Sequence, residues 1–139
     1  MTDTTSVSSE LDAAHARAKA SYKAKDLGAF MAMFAADLRY KQPDGKTIGW
    51  QDLAHDVGAQ FMAVEEMDTA YVRESLQVED GVVIEVLNQT ARLTMRHWLF
   101  FKRTWHLSRR GRYRWRQSRE GWKIEEVEVL SETLRRGAA

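Results

Sequence analysis

The sequence predicts an α+β domain in which three N-terminal helices pack on a strongly curved, mixed or antiparallel sheet. Three observations lead to this prediction. Apolar residues recur at helical spacing up to Glu66, β-branched residues alternate with polar ones after Asp68, and turn signals separate the later segments. Helices followed by hairpin-linked strands are typical of α+β domains. Because three helices cover only one face of such a sheet, we expect a half-closed cone with an interior pocket.

Each predicted helix has one apolar stripe. Ser9 and Asp12 resemble a capping box and place the first helix start near Ser9. Its stripe consists of Leu11, Ala14, Ala18 and Tyr22. Asp26 is a candidate N-cap for the second helix, whose buried face runs from Leu27 to Phe34. The third helix is expected from Trp50 to Glu66.

The predicted strands follow one another through short turns. Asp80-Gly81 is a hairpin signal, and residues 118–121 form a second turn. Arg110-Gly111 is interpreted as a bulge or a turn before a short alternating segment at 113–117. The longer predicted strands are Thr69 to Val78, Val82 to Arg96, Trp98 to Arg109 and Trp122 to Leu130.

Length and composition limit the class of protein. A chain of 139 residues with 44% apolar and 29% charged residues fits one globular domain. We expect this domain at 9–132, with flexible tails at 1–8 and 133–139. The absence of cysteine excludes disulfides and thiolate metal sites. The polar N-terminus has no signal-peptide pattern, so a cytoplasmic location without membrane association is expected.

Several short motifs occur in a recognisable order. They are Lys25-Asp26-Leu27, Met33-Phe34-Ala35-Ala36-Asp37, the strand Leu38-Arg39-Tyr40-Lys41-Gln42 before Pro43-Asp44-Gly45, and Gly121-Trp122-Lys123-Ile124. In this order the sequence resembles the nuclear transport factor 2-like superfamily, in its SnoaL-like and ketosteroid-isomerase-like branch, over about residues 9–132. The resemblance implies a cystatin-like α+β roll and a homodimer formed through the sheet. Members of the superfamily include isomerases, dehydratases, cyclases and plain binding modules.

The resemblance does not supply the isomerase residues. The position of the family's isomerase base is Gln42, whose carboxamide does not accept a proton at neutral pH. The family's tyrosine falls near Ala18, with Tyr22 one turn later. The known ketosteroid isomerase mechanism is therefore not expected here.

Other residues provide candidate acid–base groups. Tyr40 is the predicted hydrogen-bond donor, and either His97 or His106 the predicted base, depending on which strand face each occupies. Glu85 lies among apolar residues, so it is either a buried carboxylate with a raised pKa or an edge residue paired with arginine, which we favour. The expected pocket lining is Tyr22, Phe30, Tyr40, Gln42, Trp50, Phe61 and Trp115. Histidine spacing predicts no metal site, and no nucleotide loop indicates a cofactor.

Three functions remain open. The first is a pocket for a small hydrophobic or aromatic molecule, with a cofactor-free isomerase, cyclase or dehydratase as its catalytic form. The alternative is a non-catalytic interaction or dimerisation module that uses exposed aromatic residues of the Trp98–Trp105 segment. Nucleic-acid binding is third. It is suggested by ten Lys/Arg, no Asp/Glu and interleaved aromatics at 92–119, although cross-strand partners such as Glu125 offer a structural explanation.

Overall fold

The computed structural model describes residues 4–98 and 101–137, with the backbone only at 97, 98 and 101. These ranges contain three helices and a six-stranded sheet, with the first two strands between the second and third helices, which confirms the predicted α+β class. The helices are α1 (Thr4–Lys23), α2 (Leu27–Met31) and α3 (Trp50–Ala63). The strands are β1 (Phe34–Lys41), β2 (Thr47–Ile48), β3 (Val64–Glu79), β4 (Val82–Trp98), β5 (Phe101–Ser118) and β6 (Gly121–Arg136). No helix in the described ranges has the length and apolar character needed to cross a bilayer.

The sheet is mixed. Its strand order is β2-β1-β6-β5-β4-β3, and β1 and β6 are parallel neighbours. The other neighbouring strands are antiparallel. The C-terminal strand therefore lies between β1, which belongs to the helical part of the chain, and the three-stranded meander β3–β5.

The sheet bends along a line that crosses its long strands. On β3 the register shifts between Arg73 and Ser75, and on β6 it shifts opposite Arg110 and Gly111, which leaves Leu130 as an extra residue. Such bulges bend a strand and increase its twist. Gly111 of β5 lies on the same line, paired with Leu87. Curvature is therefore concentrated where two bulged strands flank a glycine.

The helices pack on one face of the sheet, here called the inner face. On the central strands this face carries Val83, Glu85 and Leu87 of β4 and Tyr113 and Trp115 of β5, all buried. The opposite side is called the outer face. The helices and β1 complete the core with Val7, Leu11, Met31, Phe34, Leu38, Leu53, Val57 and Phe61.

The first helix and the last strand both extend beyond their predicted ends. Helix α1 begins at Thr4 rather than near Ser9, and Val7 is only 1% exposed. The amphipathic pattern therefore continues into the segment predicted as a tail, and Asp12 lies inside the helix. At the other end β6 continues to Arg136. Secondary structure thus extends past both predicted domain limits.

The central part of the chain shows agreements and corrections. The Asp26 cap is confirmed, because its Oδ1 accepts a hydrogen bond from Ala29 N at 3.1 Å. The hairpin glycine is confirmed by the positive φ of 71° at Gly81. The second helix ends early, at Met31, and Phe34 already belongs to β1. No turn interrupts β5 at Arg110-Gly111, so the two predicted segments form one long strand.

Candidate acid–base site

A fully buried carboxylate lies at the centre of the inner face. Glu85 is 0% exposed, and all its observed partners are donors. Its Oε1 accepts from Trp115 Nε1 at 2.8 Å and lies 2.7 Å from His15 Nε2. Its Oε2 accepts from Arg73 Nε at 3.0 Å. Both carboxylate oxygens are therefore satisfied without water.

The donors around Glu85 decide its charge. Burial by itself raises the pKa of Glu85. Hydrogen bonds from His15, Trp115 and Arg73, together with the charge that His15 carries when it is protonated, outweigh burial and hold the pKa of Glu85 below its ordinary value. The side chain is thus ionised at neutral pH. The sequence offered either a buried carboxylate with a raised pKa or an edge residue paired with arginine. In the structure Glu85 is buried and also paired with arginine, and the prediction of a raised pKa is wrong.

The carboxylate fixes the orientation of His15. Because ionised Glu85 only accepts hydrogen bonds, His15 Nε2 carries the proton and donates it. In neutral imidazole the lone pair is then on Nδ1, and no described residue donates a hydrogen bond to that atom. The ring lies 4.8 Å from the Tyr71 ring and 5.4 Å, edge-on, from Trp115. The His15 side chain is 9% exposed.

Helix α1 and strand β3 are connected through Arg73. Its Nη2 donates to Asp12 Oδ1 at 2.9 Å and its Nη1 to Ser8 Oγ at 3.1 Å. The Tyr71 hydroxyl donates to the same Asp12 oxygen at 2.5 Å. Desolvation and the bond to Asp12 raise the pKa of Tyr71 to about 12, so it remains a donor. These contacts hold the helix that carries His15 in register with the sheet.

Tyr113 extends the polar residues along β5. Its ring centroid lies 6.4 Å from that of His15, and its hydroxyl donates to Gln89 Oε1 at 2.7 Å. The ring covers Gly111, where a built Cβ would lie 3.0 Å from Tyr113 Cε2. Only a residue without a side chain at 111 leaves room for this ring position.

Tyr40 and Arg109 form a second polar group on the inner face. Arg109 Nη1 donates to the Tyr40 hydroxyl at 3.2 Å, and Arg109 Nε and Nη2 contact Glu132 Oε2 at 2.7 and 2.6 Å. Burial raises the pKa of Tyr40, although the charge of Arg109 opposes this. The Tyr40 hydroxyl therefore stays protonated, and its proton has no acceptor among the described residues. Its predicted donor role stays a prediction.

Of the two strand histidines, His106 does not join this cluster. His106 is exposed and lies on the outer face, paired with Arg92 and Arg135. The side chain of His97 lies outside the described residues. His55 is 87% exposed on α3. Among the described side chains, only His15 approaches the buried carboxylate.

The expected pocket residues fall into three environments. Tyr22, Phe30 and Phe61 form an aromatic group, with ring centroids 4.8 Å apart for Tyr22 and Phe61. Trp50 donates to the Met31 carbonyl at 3.3 Å, and Trp115 is held by Glu85. Gln42 lies at the β1–β2 turn, where its backbone N–H donates to the backbone carbonyl of Lys46 at 2.8 Å. Tyr22, Phe61 and Trp115 are thus buried in the hydrophobic core.

The outer face carries an ion-pair network. Arg114 Nε contacts Glu125 Oε1 at 2.6 Å and Arg112 Nη2 contacts Glu128 Oε1 at 2.7 Å, as expected for cross-strand partners. The other paired cations of this face are Arg96, Lys102, Arg110 and Arg116. A surface neutralised in this way does not resemble a phosphate-binding stripe. Of the aromatics invoked for this surface, Trp105 lies on the inner face, and the side chains at 98–101 lie outside the described residues.

Two grooves accompany the sheet. The outer groove, of about 500 Å³, is lined by alternating charges that include Arg39, Arg112 and Glu126. A second groove of about 380 Å³ is lined by Leu93, Met95, Arg96, Arg103, Trp105 and Leu134, and is called the distal groove. The described residues contain no cluster of three or more His, Asp or Glu arranged to hold a metal ion.

Structural comparison identifies the fold. No protein-family model matches the sequence, and no curated protein is significantly similar to it. A putative scytalone dehydratase from Novosphingobium aromaticivorans superposes with a TM-score of 0.80 at 11% identity, covering 96% of this chain and 91% of that chain. A superfamily protein from Salmonella enterica named for nuclear transport factor 2 gives 0.74 at 17% identity, covering 93% of both chains. This is the nuclear transport factor 2-like fold. A putative dehydratase of that family from Streptomyces avermitilis gives 0.71 at 8% identity, covering 94% and 97%.

Within this fold, sequence reasoning located Tyr40 and Glu85 but missed the group around the carboxylate. His15 is not among the acid–base candidates that the sequence predicts. Its position four residues after Leu11 places it on the buried side of the helix, which was a usable signal. Arg73 gave no such signal, because its face depends on the bulge in β3.

Proposed function

We propose that the inner face of this nuclear transport factor 2-like fold is a cofactor-free acid–base site for a small hydrophobic molecule. The observation that carries the proposal is the 2.7 Å contact between buried Glu85 and His15. It leaves one imidazole nitrogen with a lone pair and no described partner. His15 is the proposed general base in place of the strand histidines.

The protonation states of Glu85 and Tyr40 support this assignment. Ionised Glu85 stabilises the imidazolium that forms when His15 Nδ1 accepts a proton, as a carboxylate partner does for catalytic histidines elsewhere. The negative charge that develops on the substrate requires a donor. The Tyr40 hydroxyl has a free proton and is polarised by Arg109 at 3.2 Å. The Tyr113 ring lies 6.4 Å from that of His15, and the charges of Tyr40, Arg109 and Glu85 all act on its hydroxyl.

The reaction class follows from these roles. Removal of a proton next to a carbonyl by His15 gives an enolate whose oxygen accepts from Tyr40. Return of the proton to another carbon is an isomerisation, and departure of a hydroxyl group with that proton is a dehydration. Two of the compared structures are named as putative dehydratases, which agrees with the second outcome. Neither outcome needs a redox cofactor.

The proposal is tested with a chromogenic carbon acid. Nitrobenzisoxazole opens to a coloured phenolate when a base removes the C–H proton of its isoxazole ring, so it reports a base without knowledge of the natural substrate. We expect the protein to accelerate the opening and His15→Ala to lower kcat/KM at least about 100-fold, the usual minimum contribution of a general base.

His106→Ala is the matched control, since that histidine is exposed on the outer face. It should leave the rate unchanged, and circular dichroism should confirm that both variants are folded. Equal rates for wild type and His15→Ala, or no acceleration by wild type, would contradict an accessible base at His15.

One observation favours a second function, the non-catalytic interaction module. Trp115, Tyr22 and Phe61 are buried in the core, and the rings of Tyr22 and Phe61 contact each other, which reduces the space for a ligand around them. A homodimer would use the outer groove, where charges of both signs are self-complementary. A folded protein without His15-dependent catalysis would favour this second function.

A further inference from the structure

The distal groove is an apolar surface far from the acid–base site. By register Leu93 of β4 is opposite Trp105 of β5, and Leu107 is opposite Leu134 of β6. Leu134 is 54% exposed, although it is a large apolar residue. Leu93 lies eight residues from Glu85, about 26 Å along the strand. The groove is therefore too distant for a small ligand to contact both places.

One cation in the distal groove, Arg103, has no ion-pair partner among the described residues. Arg96 is neutralised by Glu65, with Nη2 at 2.7 Å from Oε1. Lys102 binds the other oxygen of Glu65 at 2.9 Å. Arg103 is opposite Met95 on the inner face, and no carboxylate among the described residues lies within ion-pair distance of it. Arg103 is half-buried and lines the groove together with apolar side chains.

We propose that the distal groove binds a small molecule with an apolar body and one carboxylate, and that Arg103 holds the carboxylate. A guanidinium presents paired N–H donors that match the two oxygens of a carboxylate. Leu93, Met95 and Trp105 supply the apolar contact. At about 30 Å³ per atom group, a volume of about 380 Å³ accommodates about a dozen non-hydrogen atoms. This site is independent of His15 and of the proposed catalysis.

Decanoate has the required size and charge, and decanol is its uncharged counterpart. Isothermal titration calorimetry of wild type should show one decanoate site. Arg103→Gln should weaken decanoate binding about tenfold, since it removes one charge-assisted contact, and should leave decanol affinity unchanged. Arg103→Lys keeps the charge without the fork and should fall between the two proteins.

Arg92→Gln is the matched control, because Arg92 is exposed on the outer face and shares the substitution. It should bind decanoate like wild type. The inference is overturned if wild type binds no decanoate, if Arg103→Gln binds it as tightly as wild type, or if decanol responds to Arg103→Gln in the same way. Because binding is measured without turnover, failure here leaves the His15 assignment standing, and failure of the His15 experiment leaves this site standing.

Discussion

Replacing Glu85 with glutamine is expected to destabilise the fold strongly, although the two side chains have nearly the same shape. Wild-type Glu85 accepts from three donors, on Trp115, His15 and Arg73. A glutamine has one acceptor oxygen, and its NH2 group must face at least one of these donors in either orientation. His15 can change tautomer to accept from that NH2, but neither the indole nor the guanidinium can.

The magnitude follows from this count. One charge-assisted hydrogen bond, about 1.5–3 kcal/mol, is lost, and one buried donor is left unsatisfied at a cost of about 1–3 kcal/mol. Glu85→Gln should therefore lower the free energy of unfolding by about 2.5–6 kcal/mol, a range that contains the usual cost of about 3–5 kcal/mol for breaking a buried ion pair. Against a typical total of about 5–15 kcal/mol, a change of this size is easily measured.

The assay is urea unfolding followed by far-ultraviolet circular dichroism at pH 7. The dependence of the unfolding free energy on urea concentration, the m value, is compared between the proteins. Glu128→Gln is the control, since Glu128 is 28% exposed and pairs with Arg112 on the outer face. This change should cost less than about 1 kcal/mol. If Glu85→Gln is no more destabilising than Glu128→Gln, the buried carboxylate does not organise the inner face as described.

Two further predictions concern pH and backbone space. The folded pKa values of Glu85 and Asp12 both lie below their ordinary values of 4.5 and 3.8, so their contributions are fully present above those values and are lost as the pH falls through the folded values. Wild-type unfolding free energy should fall below about pH 4.5, and equal acid sensitivity of Glu85→Gln would contradict this. Gly111→Ala should cost about 1–3 kcal/mol in urea unfolding, because its Cβ displaces the Tyr113 ring. In a Tyr113→Ala background the same change should cost little, and an unchanged cost would refute the steric argument.

The fold was predictable because local signals agreed with the global pattern. The Asp26 cap, the Gly81 hairpin and the change from helical to alternating periodicity each indicated an element that the structure contains. Boundaries were less reliable where the signals were ambiguous. Ser9 and Asp12 have capping-box spacing, yet Asp12 lies within α1. It accepts hydrogen bonds from Tyr71 and Arg73 of β3 and does not cap the helix start.

The site was harder to predict because one residue of register decides which side chains meet. Counting back from the Gly81 hairpin without a bulge pairs Arg73 with Asn88, on the outer face. The bulge in β3 pairs it with Leu87 instead and turns its side chain toward Glu85. Glu74 is the extra residue, and the sequence around it contains no signal that predicts a bulge. The contact between His15 and Glu85 joins residues 70 positions apart and likewise depends on tertiary packing.

The position of β6 between β1 and β5 has a consequence for how the chain acquires its structure. Within the described sheet, β1 has only β2 and β6 as neighbours, and Phe34 pairs with Ile124. The helices and β1 are synthesised first but remain without the rest of the sheet until the last strand is available. The meander β3–β5 can form from hairpins alone, whereas closure of the cone must wait for this distant pairing. Folding should therefore end with β6 entering the gap, a late step with a large loop-closure cost.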